Sequence, residues 1–81
     1  MRIMYCHPTK ESGRRDCVAF VDVEVNEHLR LYSLRLVRQS DGNYFLYAPQ
    51  AGQRRTATFS KPLAERLTAL AVEAYGAENE R

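Results

Sequence analysis

The chain has 81 residues, of which 44% are hydrophobic and 27% charged, and its formal net charge is +2 at pH 7. These values are ordinary for a globular protein and argue against a disordered, collagen-like or coiled-coil chain. One domain spanning residues 1–81 is expected, and it buries only about 60–65% of the surface exposed by the unfolded chain, so its stability margin should be small.

Residues 1–16 predict a first strand followed by a flexible arm. Arg2 to Cys6 has the character of a short strand. The next two residues, His7-Pro8, are expected to end regular pairing because proline has no backbone donor. Residues 9–16, which include Gly13, then predict a loop or a hairpin tip.

Residues 17–59 predict the antiparallel sheet. From Cys17 to Val25 apolar and polar residues alternate with a period of two, which is typical of a strand with one buried face. Val21 and Val23 are expected to be buried. Asn26-Glu27 predicts a tight hairpin turn, since asparagine tolerates the left-handed backbone conformation that such turns can require.

In the strand predicted from Leu29 to Arg38, the first leucines occupy odd positions and the later ones even positions, so they would point to opposite faces of a regular strand. One inserted residue near Tyr32-Ser33, a β-bulge, would restore a common face. A strand covered on both faces is the alternative. The bulge is favoured because the arginines of this strand need a route to solvent.

A turn at Asp41-Gly42 and a further strand from Tyr44 to Ala48 follow, and Pro49 ends that strand. Phe45 and Tyr47 lie on one face of it. Tyr44 and Leu46 lie on the other. The sheet face opposite the helix therefore presents an aromatic set to solvent or to a second subunit, and rings interleaved with arginines are typical of surfaces that stack nucleic-acid bases.

Residues 50–55 predict a polar loop that ends in Arg54 and Arg55. Guanidinium groups present a planar fork of donors that matches phosphate oxygens, so this loop is the favoured functional element. The alternative is that the two arginines only keep the loop soluble. Thr56 to Phe59 then predicts a short last strand.

Residues 60–76 predict a helix with Ser60 as its N-cap and Pro62 in its first turn. Gly76 is expected to stop this helix, and residues 77–81 are expected to fray. Tyr75 is expected either to close one end of the core or to project into a partner. The apolar stripe expected to face the sheet is Leu63, Leu67, Leu70, Ala71 and Ala74. The fold class is thus α+β, a small antiparallel β-sheet of four to five strands with one C-terminal α-helix packed on it.

Motifs for catalysis, metals and membranes are missing. The serines and cysteines have no nucleophile setting and there is no Gly-rich phosphate loop, so we expect neither an enzyme nor a small-molecule substrate. Cys6 and Cys17 lack zinc-type spacing, and no metal or cofactor is expected. Reduced thiols are the simpler interpretation, with a disulfide left open. Without an apolar span or signal peptide, we expect a cytoplasmic location.

The sequence from Tyr32 to Val37 and from Asp41 to Pro49, followed by a basic loop and by Lys61-Pro62 before a helix, resembles the stage V sporulation protein G family. This family comprises small bacterial nucleic-acid-binding regulators of transcription and septation, and the resemblance covers about residues 17–75. It implies a homodimer formed through sheet edges and site-selective binding of DNA or RNA.

The resemblance also implies which residues contact nucleic acid. Arg54 and Arg55 match the basic loop of the family, and Lys61 stands where the family has a histidine before the helix. Arg14 and Arg15 on the arm are further candidate phosphate contacts.

Two alternatives compete with this interpretation. The first is a dimeric protein-interaction module that uses an exposed sheet face or edge and binds no nucleic acid. The second is a small-ligand pocket between helix and sheet. Basic residues outnumber acidic ones over residues 1–60 but not over residues 61–81, which fits a phosphate-binding patch and equally a solvated surface.

Overall fold

A computed structural model of the chain describes residues 1–9, 17–52 and 54–79. Four antiparallel strands form a sheet in sequence order, β1 (Arg2–Pro8), β2 (Cys17–Asn26), β3 (Leu29–Arg38) and β4 (Tyr44–Tyr47). A two-stranded ribbon follows, β5 (Gln50–Ala51) and β6 (Arg54–Arg55), and then the helix α1 (Lys61–Asn79). The helix packs on the sheet, which confirms the predicted α+β class.

Strand β1 extends past Cys6, where the sequence predicted its end. Pro8 lies opposite Ala19, and the N–H of Thr9 donates to the carbonyl oxygen of Val18 at 3.0 Å. Successive residues of an antiparallel strand direct their backbone groups to alternate sides, so the nitrogen of Pro8 faces away from β2. The predicted end was wrong because β1 is an edge strand, where a proline whose nitrogen faces outward removes no hydrogen bond between the strands. Of the arm predicted over residues 9–16, Thr9 still bonds to β2, and residues 10–16 lie outside the described residues.

The turn between β2 and β3 consists of Glu27 and His28, with Asn26 opposite Leu29. The predicted tight hairpin is confirmed, but Asn26 acts through its side chain. Its Oδ1 accepts a hydrogen bond from the N–H of His28 at 2.7 Å, and its own φ is not positive. The amide side chain thus replaces the left-handed conformation as the device that closes this turn.

The β-bulge predicted in β3 is present. Tyr32 and Ser33 together stand opposite the single residue Asp22. Ser33 has a φ of 60°, and its N–H donates to the Asp22 carboxylate at 2.9 Å. The extra residue returns Leu34 to the buried face, so the change of side among the leucines reflects the bulge rather than a strand covered on both faces.

The loop between β3 and β4 confirms the turn predicted at Asp41-Gly42. Gly42 has a φ of 91°, a conformation that glycine adopts without steric cost, and its N–H donates to the carbonyl oxygen of Gln39 at 2.9 Å. The N–H of Asn43 donates to Asp41 Oδ1 at 2.9 Å. Strand β4 ends at Tyr47, one residue earlier than predicted.

The last strand predicted at Thr56 to Phe59 does not form, and that prediction was wrong. Residues 57–60 are irregular, whereas β5 and β6 pair with each other in the stretch predicted to be a loop. A strand here would need the free edge of β4. That edge already has a partner in the helix, because the N–H of Leu46 donates to the hydroxyl of Thr68 at 3.0 Å.

Helix α1 begins as predicted and ends later. The N–H of Leu63 donates to Ser60 Oγ at 3.3 Å, and the N–H of Ala64 donates to the Ser60 carbonyl oxygen at 2.8 Å, which confirms the N-cap. The stop predicted at Gly76 was wrong, since the helix continues to Asn79, and residues 80–81 of the tail predicted to fray lie outside the described residues. Gly76 keeps a negative φ, so it does not form the left-handed residue that usually ends a helix.

The core lies between α1 and one face of the sheet. Val21 and Val23 are fully buried, as predicted, and so is Leu67 of the helix stripe. Tyr75 closes one end of the core, with its ring centroid 6.1 Å from that of Tyr44. The residues of the central cluster are Ala19, Val21, Val23, Leu34, Leu36, Leu46, Leu67 and Ala71.

The cysteines show no disulfide. Cys17 is buried, and its thiol donates to the carbonyl oxygen of Ala19 at 3.6 Å, while Cys6 is half-buried on β1. Over residues 1–9, 17–52 and 54–79, no three His, Cys, Asp or Glu side chains are grouped so that they could hold a metal ion. In the same ranges no helix has both the length and the apolar character needed to cross a membrane.

Candidate nucleic-acid interface

The sheet face that α1 leaves uncovered carries aromatic and basic side chains. Strand pairing places His7, Phe20, Arg35 and Tyr47 in one row, with one residue on each strand. Because neighbouring strands lie about 4.8 Å apart, the row is about 14 Å long. Two more rings lie on this face, each two positions along a strand from a member of the row. We define the open face as Tyr5, His7, Phe20, Arg35, Phe45 and Tyr47.

The rings of the open face form a pair at each edge of the sheet. The centroids of Tyr5 and His7 are 5.9 Å apart with an interplanar angle of 20°, and those of Phe45 and Tyr47 are 4.8 Å apart at 54°. Phe20 lies between the pairs and is 38% exposed, and Tyr5 is 63% exposed. Exposed rings on a four-stranded sheet can stack two or three unpaired bases.

Arg35 lies in the row between Phe20 and Tyr47. Its guanidinium carbon is 5.7 Å from the centroid of the Tyr47 ring, within the range of a cation–π interaction. Its Nε is buried and has no hydrogen-bond partner among the described residues. A buried donor left unsatisfied costs about 1–3 kcal/mol, so the fold keeps this guanidinium in place against a free-energy penalty.

The carboxylates near the open face already have partners. Glu24 accepts a hydrogen bond from Arg2 Nε at 2.7 Å and lies 3.3 Å from Arg30 Nη2. The hydrogen bond from Arg2 lowers the pKa of Glu24, and the same bond raises the pKa of Arg2. Asp22 accepts the N–H of Ser33. Glu24 is therefore balanced by two arginines, whereas the hydrogen bond to Asp22 comes from an uncharged N–H.

Cations around β4 and the start of α1 have no such partners. In the part of the chain that the structure describes, the basic residues of this region make no ion pair. Cations grouped in this way attract anions. The residues concerned are Arg35, Arg38, Arg54, Arg55 and Lys61.

A cleft of about 430 Å³ adjoins the open face on the β4 side. Arg35, Phe45 and Tyr47 line one wall, and the irregular segment 56–59 between β6 and α1 lines another. The hydroxyl of Thr56 donates to the carbonyl oxygen of Pro49, which ties this segment to the end of β4. The volume lies within the usual range for small-molecule sites. The lining includes Ala64 of α1 as well as strand residues, so the cleft lies where β4 meets the start of the helix.

The structure separates the two arginines predicted as phosphate contacts. Arg54 and Arg55 are neighbours on β6 and both are exposed. Side chains of successive strand residues point to opposite sides, and Arg55 lines the cleft with Arg35 whereas Arg54 does not. Arg55 is thus the member of the pair that adjoins the open face.

Of the remaining predicted contacts, the structure describes Lys61. Lys61 is the first residue of α1 and is exposed, but it does not line the cleft. Arg14 and Arg15 lie outside the described residues. No statement about their contribution follows from the structure, and they stay predictions.

Sequence reasoning anticipated one ring pair of the open face and missed the other. The alternation along β4 indicated that Phe45 and Tyr47 share a face. The rings of β1 were missed because Pro8 was taken as an interruption, although Tyr5 and His7 have the spacing that puts two side chains on one face of a strand.

The special position of Arg35 depends on strand register. The guanidinium meets Tyr47 only because β3 and β4 pair in one particular way, and no local pattern reveals a buried nitrogen without a partner.

No family model, curated protein or solved structure matches this chain.

Proposed function

We propose that the chain is a small site-selective DNA- or RNA-binding regulator that takes a nucleic-acid strand across the open face. The observation that supports this proposal best is the row of His7, Phe20, Arg35 and Tyr47, in which rings and a cation share one uncovered surface. Rings stack on bases and guanidinium groups bind phosphates, so the two kinds of side chain serve the same ligand.

A single strand suits this surface better than a duplex. Bases reach the rings only when they are not paired and stacked within a helix. The row is about 14 Å long at the usual strand spacing, which gives room for two or three bases. The backbone of such a strand would pass the β4 side, where Arg55 lies, and Arg54 and Lys61 would contribute to the attraction at longer range.

The experiment that tests the proposal is fluorescence anisotropy of labelled single- and double-stranded DNA and RNA. We expect micromolar or tighter binding of single strands and weakening by at least about fivefold in Phe20→Ala, because a stacked base is worth about 1–3 kcal/mol. The double variant Arg54→Ala/Arg55→Ala should also bind more weakly. Arg66→Ala, which removes an exposed cation from α1, is the matched control and should bind like the wild type.

Salt dependence gives a second measurement with a different physical basis. Each phosphate contact to a single strand contributes about −0.7 to the slope of log affinity against log salt. The Arg54→Ala/Arg55→Ala variant should therefore show a shallower slope, whereas Phe20→Ala should lose affinity with little change in slope. A folded wild-type protein that binds no strand at low salt would contradict the proposal.

We infer that the homodimer implied by the resemblance forms through β1. The outer edge of β1 pairs with no strand in the described ranges. At the edge of β4, a backbone N–H already donates a hydrogen bond to a side chain of the helix. Antiparallel pairing of two β1 strands about a twofold axis would make one continuous sheet with both open faces on the same side. The melting temperature should rise with protein concentration, and light scattering should give twice the 9.3 kDa mass. A concentration-independent 9.3 kDa species would contradict this inference.

The same edge supports a second candidate function, in which β1 accepts a strand from another protein. Backbone pairing of this kind depends little on salt, whereas phosphate binding weakens steeply with it. A partner bound with a flat salt dependence, together with no nucleic-acid binding, would favour this candidate.

A further inference from the structure

The cleft beside β4 joins two cations that are distant in the sequence. Arg35 comes from β3 and Arg55 from β6, and neither makes an ion pair among the described residues. The Nε of Arg35 is buried and has no partner in the same part of the chain. Two guanidinium groups without counter-charge in one cleft point to an anionic ligand.

The remaining lining is largely apolar. Phe45 and Tyr47 form a tilted ring pair on one side, and Pro49 and Phe59 contribute on the others. A bare inorganic anion would leave these apolar walls in contact with water. An uncharged apolar ligand would leave both arginines without a partner. The lining therefore fits a molecule that combines an anionic group with a flat apolar part.

We propose that this cleft binds a single nucleotide, with its phosphate held by Arg35 and Arg55 and its base against the Phe45–Tyr47 ring pair. The inference rests on the proposed function where the nucleotide belongs to a bound strand, while a free mononucleotide presents the same chemistry. The volume of about 430 Å³ falls within the range of sites for molecules of this size.

The cleft is held in shape by contacts that exist without ligand. The Tyr47 ring lies beside the Arg35 guanidinium at 5.7 Å, and Phe45 supports Tyr47 with a centroid distance of 4.8 Å. The bond from Thr56 to Pro49 fixes the opposite wall. Binding therefore needs little ordering of side chains, which favours affinity for a small ligand.

The test is an NMR titration of the full chain with adenosine monophosphate, adenosine and inorganic phosphate. We expect adenosine monophosphate to shift the resonances of β4 and the side-chain Nε–H of Arg35. Adenosine and phosphate should each bind at least about tenfold more weakly, because each makes only one part of the contact. A wild-type spectrum unchanged at millimolar adenosine monophosphate would overturn the inference.

Variants identify the site. Arg35→Gln should weaken binding of adenosine monophosphate by at least about tenfold, since a charged hydrogen-bonding partner is lost. Arg66→Gln is the matched control, because Arg66 is an exposed cation of α1 that does not line the cleft, and it should bind like the wild type. If Arg35→Gln does not fold, Arg55→Gln at its exposed position gives the same readout. Equal binding by wild type and Arg55→Gln would overturn the inference.

A titration with a short oligodeoxythymidine strand distinguishes this inference from the proposed function. Displacement of adenosine monophosphate by the strand would support the cleft as a subsite for one nucleotide of a bound strand. Binding of the mononucleotide by a protein that binds no strand would support the cleft alone and count against the proposed function. Strand binding that neither shifts the Arg35 resonance nor weakens in Arg35→Gln, by a protein that binds no adenosine monophosphate, would overturn the inference and leave the proposed function standing.

Discussion

Ser33 adopts a left-handed backbone conformation that residues with a side chain rarely take, and Asp22 holds it there. The carboxylate accepts the N–H that the bulge turns away from the ladder. This hydrogen bond between neighbouring strands thus supports the bulge that sets the face on which the leucines of β3 lie. The cost of the strained φ is of order 1–3 kcal/mol, so its compensation matters.

We therefore expect Asp22→Ala to lower the free energy of unfolding by about 1–2 kcal/mol, since the bulge loses the acceptor for its N–H. Asp22→Asn keeps an oxygen at the same place and should cost less. Urea denaturation of the three proteins measures the difference. Equal stability of Asp22→Ala and the wild type would show that the bulge holds without this bond.

Three strands meet at Glu24, where Arg2 of β1 and Arg30 of β3 contact one carboxylate of β2. The hydrogen bond from Arg2 lowers the pKa of Glu24 in the folded protein. Ionised Glu24 therefore stabilises the fold above its ordinary pKa, and this stabilisation is lost as the pH falls through the lowered value. Arg2 keeps its charge over this range, so the acid side reports on Glu24.

Glu24→Gln should consequently lose less stability than the wild type as the pH falls below the ordinary glutamate pKa. At neutral pH the variant should be somewhat less stable than the wild type, because the contacts of the carboxylate with the two arginines are lost. Thermal unfolding followed across acidic pH measures the slope. Glu73→Gln, which removes an exposed carboxylate of α1, is the control and should keep the wild-type slope. A Glu24→Gln protein with an unchanged slope would contradict the assignment.

The N-cap of α1 is a second interaction that stabilises an element of secondary structure. Ser60 Oγ accepts the N–H of Leu63 at the start of a helix that covers the whole core. Ser60→Ala should lower the free energy of unfolding by about 0.5–2 kcal/mol, whereas Ser60→Asp retains an acceptor and should stay near the wild type. Chemical denaturation distinguishes them, and similar losses in both variants would show that the cap is not the cause.

Elements with a strong internal pattern were predictable from the sequence. The alternation in β2 identified Val21 and Val23 as buried, and the change of side in β3 identified the bulge. Pro8 and the residues after Pro49 were misjudged because their structure depends on which edges of the sheet are free. That property belongs to the assembled sheet, where Thr68 of the helix reaches the edge of β4.

The candidate site was predictable in part for the same reason. Arg55 was recognisable because two adjacent arginines in a polar stretch are visible in the sequence. The contact of Arg35 with Tyr47 depends on the pairing of β3 with β4, and its buried Nε depends on packing. Residue types can be read from a sequence, whereas their meeting across strands requires the register.

At the scale of the molecule, a chain of 81 residues has little stability to spare. At about 0.05–0.15 kcal/mol per residue, its free energy of unfolding is about 4–12 kcal/mol. Among the described residues, Leu67 is the largest fully buried side chain that the helix contributes to the core. The link between the two layers of the fold therefore depends strongly on this one residue.

Leu67→Ala should lower the free energy of unfolding by about 2–5 kcal/mol, which is a large part of the total. Leu29→Ala is the matched control, because Leu29 is exposed at the turn between β2 and β3 and should cost far less. Urea titration gives both values. A loss below about 0.5 kcal/mol in Leu67→Ala would contradict the placement of the helix on the sheet.

Pro8 also bears on how the molecule avoids uncontrolled self-association. Exposed sheet edges are templates for fibre growth, and proline on an edge strand interrupts such a template. The outward nitrogen of Pro8 offers no donor to an arriving strand, and the opposite edge of the sheet has a donor bonded to Thr68. In the homodimer inferred above, the two molecules would use the same edge of β1, and association through that edge would stop at a pair.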